Sequence, residues 1–167
     1  MTASNGWAGQ QWAPLIADLE LELAAIDRLA RESETLLGRA PMTADAVYVR
    51  AGAGILQDFY TGAEKLWRRI ADEVDGRLPA GSEWHMQLLS RMTIGLEGIR
   101  PPVVGPELGE RLRGYLRFRH LARGIYGFSL DWERVRELLL ALPALAQSLA
   151  REVRQFEGFL RAAGSDR

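Results

Sequence analysis

A chain of 167 residues, 47% of them apolar, has the length of one domain and buries about two-thirds of its unfolded surface at that size, which excludes disorder throughout. It has no cysteine, which excludes disulfides, thiolate metal sites and a cysteine nucleophile and fits a reducing cytoplasm. The net charge of −1 hides an uneven layout. Twenty arginines stand beside one lysine, Lys65, and six of those arginines fall between Arg100 and Arg123 against only Glu107 and Glu110. Such a stretch reads as an anion or nucleic-acid surface, or as a solvated helix face.

The opening residues, MTASNGWAGQQW, lack the basic-then-apolar pattern of a secretory leader. Residues 1–12 are expected to form a short flexible tail. Pro14 suits a first helical turn, and Ile16, Leu19, Leu23, Ile26, Ala30 and Leu37 keep helical spacing to about Arg39. Pro41 interrupts the chain, and Thr43 is the expected cap of a second helix running to Asp75, before Gly76 and Pro79. That helix has two apolar faces: Ala51, Ile55, Phe59, Leu66 and Ile70 on one, and Leu56, Tyr60, Trp67 and Ala71 on the other. It should therefore be central. Ser82 is the expected cap of a short third helix carrying Trp84, Leu88 and Met92, and the GIRPPVVGP segment must be a loop. A fourth helix is expected from Pro106 to Tyr126. Asp131 caps a fifth, from Trp132 to about Ala163, with a kink near Pro143. The longest apolar run, Leu138 to Ala146, is too short to span a bilayer. No strand periodicity appears, so the fold class is all-α: an up-and-down bundle of four to five helices.

The chain has two histidines. His85, at a helix start, reads as a capping or surface residue. His120 lies inside the arginine-rich stretch. At about 100° per residue, Arg113, Arg117 and His120 share one face of the fourth helix, while Leu108, Leu112, Tyr115, Ala122 and Tyr126 mark the opposite, core-facing side. Arg119 projects from that apolar side, where an isolated charge is prohibitive. Glu64, set between Tyr60, Trp67 and Ala71, poses the mirror problem. An Arg119–Glu64 pair would resolve both, either as a structural ion pair or as an arginine held in place for function. No phosphate loop or metal-ligand spacing is present, so neither a metal nor a cofactor is expected.

Several blocks, in order, resemble the HepT-like branch of the HEPN domains. They are Phe59-Tyr60-Thr61-Gly62-Ala63-Glu64, Leu78-Pro79, Trp84-His85 with Leu88-Leu89, Arg100-Pro101-Pro102, and Phe118-Arg119-His120 with Arg123, Tyr126-Gly127-Phe128 and Leu130-Asp131. The resemblance implies a single HEPN-like helical domain over residues 1–167 and a homodimer built around the motif helix. It implies a cytoplasmic toxin, with no membrane attachment, that cleaves RNA (tRNA or mRNA) without metal. Cleavage would proceed by in-line attack of the ribose 2′-hydroxyl in a composite dimer cleft. The implied partner is a minimal nucleotidyltransferase antitoxin.

The family signature is an arginine, four to six residues, a histidine, and a tyrosine two positions on. Begun at Arg119, it meets Gly124 at the histidine position and Tyr126 at the tyrosine position. Begun at Arg113, it ends on His120 with Ala122 in place of the tyrosine. The implied catalytic set is Arg119, His120 and Arg113, with Arg117 and Arg123 binding phosphate and Glu64 in a supporting place. Tyr126 is the candidate nucleotidylation site. One chain offers a single suitable histidine on this reading, so a two-fold dimer would have to supply a second His120. The alternatives are a non-catalytic HEPN module that binds a nucleotidyltransferase or nucleotide, and a purely structural helical adaptor.

Overall fold

The computed structural model describes residues 10–41 and 43–164. Among them five helices carry the chain: α1 (Ala13–Arg39), α2 (Ala46–Glu73), α3 (Trp84–Met92), α4 (Pro106–Gly124) and α5 (Trp132–Ala163). The described residues hold no β-strand, only one antiparallel bridge between Leu96 and Arg100. The fold is all-α, as the periodicity implies. No helix among these residues is long and apolar enough to cross a membrane. Of the expected tail, Gln10–Trp12 form a 3-10 turn with Trp12 partly buried against the core; residues 1–9 lie outside the described part.

Leu15, Leu19, Leu23, Ile26 and Ala30 recur every three or four residues along α1 and are buried, forming the stripe that lies on α2 and α5. Helix α2 starts later than expected because Asp45, not Thr43, is its cap. The Asp45 carboxylate accepts hydrogen bonds from the Val47 and Tyr48 amides at 2.9 and 3.3 Å and so satisfies two otherwise orphaned donors. Packing of α2 against α1, α3, α4 and α5 explains its two apolar faces. At Gly52 the backbone of α2 comes so close to α5 that a Cβ would lie 2.7 Å from Val135 Cγ1 and 2.9 Å from Leu139 Cδ1.

The expected Ser82 cap is not the one found. Glu83 holds the N-cap position of α3, with no side-chain hydrogen bond. The loop after α3 is fastened by Arg100, whose guanidinium is wholly buried. It donates to Asp75 at 2.5 and 2.9 Å and to the carbonyls of Ile94, Pro101 and Arg91 at 3.1–3.3 Å. Arg100 therefore leaves the basic surface to which its position in sequence assigned it. A buried ion pair survives when its remaining donors are satisfied like this. The Gly105 amide, at the N-terminus of α4, donates to Glu152 of α5 at 2.7 Å. Helix α4 ends at Gly124 rather than Tyr126, since Ile125 is already extended. Helix α5 runs unbroken through Pro143, capped by Asp131 as expected.

Candidate functional site

Three helices bring four charged or titratable side chains together. Glu64 lies midway along α2 on the face of Tyr60 and Trp67, and is only 7% exposed. A carboxylate at that depth needs partners, and it has two on one oxygen. Arg119 of α4 places Nη1 at 3.6 Å from Glu64 Oε2, so the pair required by the apolar setting of both residues is formed. The same oxygen accepts a close hydrogen bond from His85 Nδ1 of α3. His120, the neighbour of Arg119 on α4, is exposed and meets His85 edge to face, with ring centroids 5.5 Å apart.

The surroundings hold these groups in place. Trp84 stacks on His85 with centroids 3.7 Å apart, and the Arg68 guanidinium lies 5.5 Å over the Trp84 ring, a cation–π contact. Arg119 lies 6.0 Å over the ring of Tyr60. Burial, and then the charge of Glu64, push the Tyr60 phenol above its ordinary range. Tyr60 thus stays neutral and packs beneath the charged cluster.

His85 is neither a cap nor a surface residue. Its side chain keeps 17% of its surface and bridges Glu64 to His120. Sequence spacing had no means of finding it, because residues 64 and 85 belong to different helices. Only Trp84-His85 directly after the Pro79–Gly81 break marks a short helix that must turn its first residues back onto α2. The structure places the two histidines of the chain side by side, so a single chain holds two neighbouring imidazoles rather than one.

Arg113 is half-buried, with Nη1 at 3.2 Å from Met86 Sδ and Nε at 3.1 Å from Glu110. It reaches the residue next to His85 rather than His85 itself. Arg117 and Arg123 are exposed on α4, with no hydrogen bond or ion pair to the Glu64 cluster among the described residues. Gly124 closes the helix. Tyr126, read as a core-facing residue of α4, lies beyond the helix and is 75% exposed. Tyr115 is the buried tyrosine of α4 and donates its hydroxyl proton to the Leu138 carbonyl at 2.7 Å. The described residues contain no group of three or more His, Cys, Asp or Glu side chains placed to hold a metal ion.

No curated protein and no solved structure matches the chain. A family model described as HepT-like protein matches residues 51–160. That span, more than half of the chain, runs from early α2 to the last turn of α5 and includes Glu64, His85, Arg119 and His120. The chain belongs to the HepT-like family of HEPN-domain proteins.

Proposed function

We propose that this protein acts as a single HEPN-type domain and is the toxin of a pair whose antitoxin is a minimal nucleotidyltransferase. In this reading it is an endoribonuclease that cuts RNA without a metal. The observation that carries it is one connected cluster: Arg119 pairs with the buried carboxylate of Glu64, and His120, next to Arg119 on α4, meets His85, which contacts that same carboxylate. Cleavage by in-line attack of a ribose 2′-hydroxyl on its own phosphate needs proton transfer and a cation for the charge gathered on the phosphorane. An imidazole beside a guanidinium held by a carboxylate supplies both. Arginine suits the phosphate because its planar fork is always charged. The exposed Arg117 and Arg123 extend this positive surface along α4 for an RNA backbone. A second copy packed on α4 would complete a cleft around the site.

Induced expression, with and without the neighbouring nucleotidyltransferase, tests the reading when growth and RNA integrity are followed together. Growth arrest with RNA cleavage, relieved by the partner and abolished by His120→Gln, is expected. Intact RNA under full expression of the wild type would overturn it. The second reading, a non-catalytic module that binds the nucleotidyltransferase, draws on Gly124 at the histidine position of the Arg119 register; binding of the partner without any RNA cleavage would favour it. Under either reading Tyr126, exposed just past α4, is the tyrosine accessible for nucleotidylation. Added phosphate there would place negative charge beside the arginines and compete with RNA. Co-expression should add the mass of one nucleotide to the wild type and none to Tyr126→Phe.

A further inference from the structure

Cleavage of this kind needs a base for the 2′-hydroxyl proton and an acid for the departing 5′-oxygen. His120 is one of the two. A dimer would offer the partner subunit's His120 as the other. We propose instead that His85 is the second proton carrier, so that each protomer holds a complete acid–base pair. This assignment rests on the ribonuclease reading and goes beyond it by naming a catalytic residue outside the family signature and placing it in the same chain.

Three observations carry it. The first is the contact of His85 Nδ1 with Glu64 Oε2. A carboxylate acceptor there fixes the proton on Nδ1 and leaves Nε2 as the working nitrogen, the arrangement by which a buried acid orients a general base and steadies the imidazolium it becomes. Nε2 itself makes no hydrogen bond among the described residues, and the side chain keeps 17% of its surface exposed. The second is orientation: Trp84 stacks on the ring at 3.7 Å, and Arg68 lies over Trp84. The third is separation. The His85 and His120 ring centroids are 5.5 Å apart, so both imidazoles border one spot on the surface and reach a single phosphodiester placed beside them.

The step then balances. The 2′-oxygen bonds to phosphorus as its proton passes to His85 Nε2. The bond from phosphorus to the 5′-oxygen breaks as that oxygen takes a proton from the His120 imidazolium. A 2′,3′-cyclic phosphate and a 5′-hydroxyl leave, with His85 charged and His120 neutral until solvent exchanges the protons. Arg119, on the Glu64 oxygen that orients His85, faces the charge that gathers on the phosphorane.

The decisive variant is His85→Asn. Its amide nitrogen stands where Nδ1 stood and keeps the hydrogen bond to Glu64, but nothing replaces Nε2. Cleavage of a single-stranded fluorogenic ribo-oligonucleotide by the purified full chain in EDTA is measured across pH, with thermal melts to check folding. His85→Asn should melt like the wild type, lose about 10²–10⁴-fold in kcat, and lose the acid-side limb of the bell-shaped profile. Imidazole added to His85→Ala should restore part of the rate. Mixing His85→Asn with His120→Gln should restore nothing, because each protomer lacks half of its own pair. Wild-type activity in His85→Asn, or recovery on mixing, overturns the assignment while leaving the ribonuclease reading intact. A wild-type chain that cleaves no RNA overturns both.

Discussion

At the scale of single residues, the site is organised around one oxygen. Glu64 Oε2 serves both Arg119 and His85, so removing the carboxylate strands a buried cation while removing either partner leaves the carboxylate with the other. The costs should therefore be unequal. Glu64→Ala should lower stability by about 3–5 kcal/mol, the cost of leaving a buried charge without its partner. Glu64→Gln keeps an acceptor for His85 and should cost less. Arg119→Ala should cost less than Glu64→Ala, since His85 still satisfies the carboxylate. Urea unfolding of the three variants checks the order. Equal losses would mean that His85 does not satisfy the carboxylate once Arg119 is gone.

Between elements, two contacts of α5 make opposite demands on the helices it meets. At Gly52 on α2, alanine would raise helix propensity by about 1 kcal/mol. The new Cβ would meet Val135 Cγ1 at 2.7 Å, however, and overpacking a tight core costs about 1–3 kcal/mol. Gly52→Ala should therefore destabilise, and a thermal melt reads the sign. Against α1, Glu157 is 1% exposed and shares its surroundings with Glu20, Arg154 and Arg161. Burial, and then Glu20, push its carboxyl above the ordinary range, whereas the hydrogen bond from Arg154 draws Glu20 below it. The signs oppose. Glu157 stabilises the fold below the ordinary carboxylate range, and that contribution is lost as pH rises through its raised folded value. Glu20 stabilises above its unfolded value, and its contribution is lost as pH falls through its lowered one. Glu157→Gln should accordingly raise the melting temperature at pH 7, with the gain shrinking toward about pH 4.

For the molecule as a whole, the basic surface and the exposed apolar residues share one end of α4. Leu121 and Ile125 are 53% and 38% exposed, one and five residues past His120. Covering them with a second copy would bury apolar surface and wall the site in. Sedimentation at micromolar concentration should give about twice 18.6 kDa, and Leu121→Glu should return the monomer. Because each protomer places His85 beside His120, the monomeric variant should keep some cleavage of short substrates. A monomer with none would show that the second copy supplies more than walls.

By itself the sequence determined the helices and the family. Apolar residues repeated every three or four positions, Asp131 as a cap, and Gly and Pro in the connections are local signals, each readable within one or two turns. The need for an Arg119–Glu64 pair was legible too, because a charge on an apolar stripe requires a partner wherever the stripe ends up. Tertiary structure alone decided the remaining polar meetings. It drew Arg100 out of the basic stretch and onto Asp75, set Tyr126 outside the core, and turned His85 onto Glu64. The physical reason is distance along the chain. Twenty-one residues separate Glu64 from His85, twenty-five separate Asp75 from Arg100, and no helical period relates them. Only the packing of α3 and its following loop against α2 makes them neighbours.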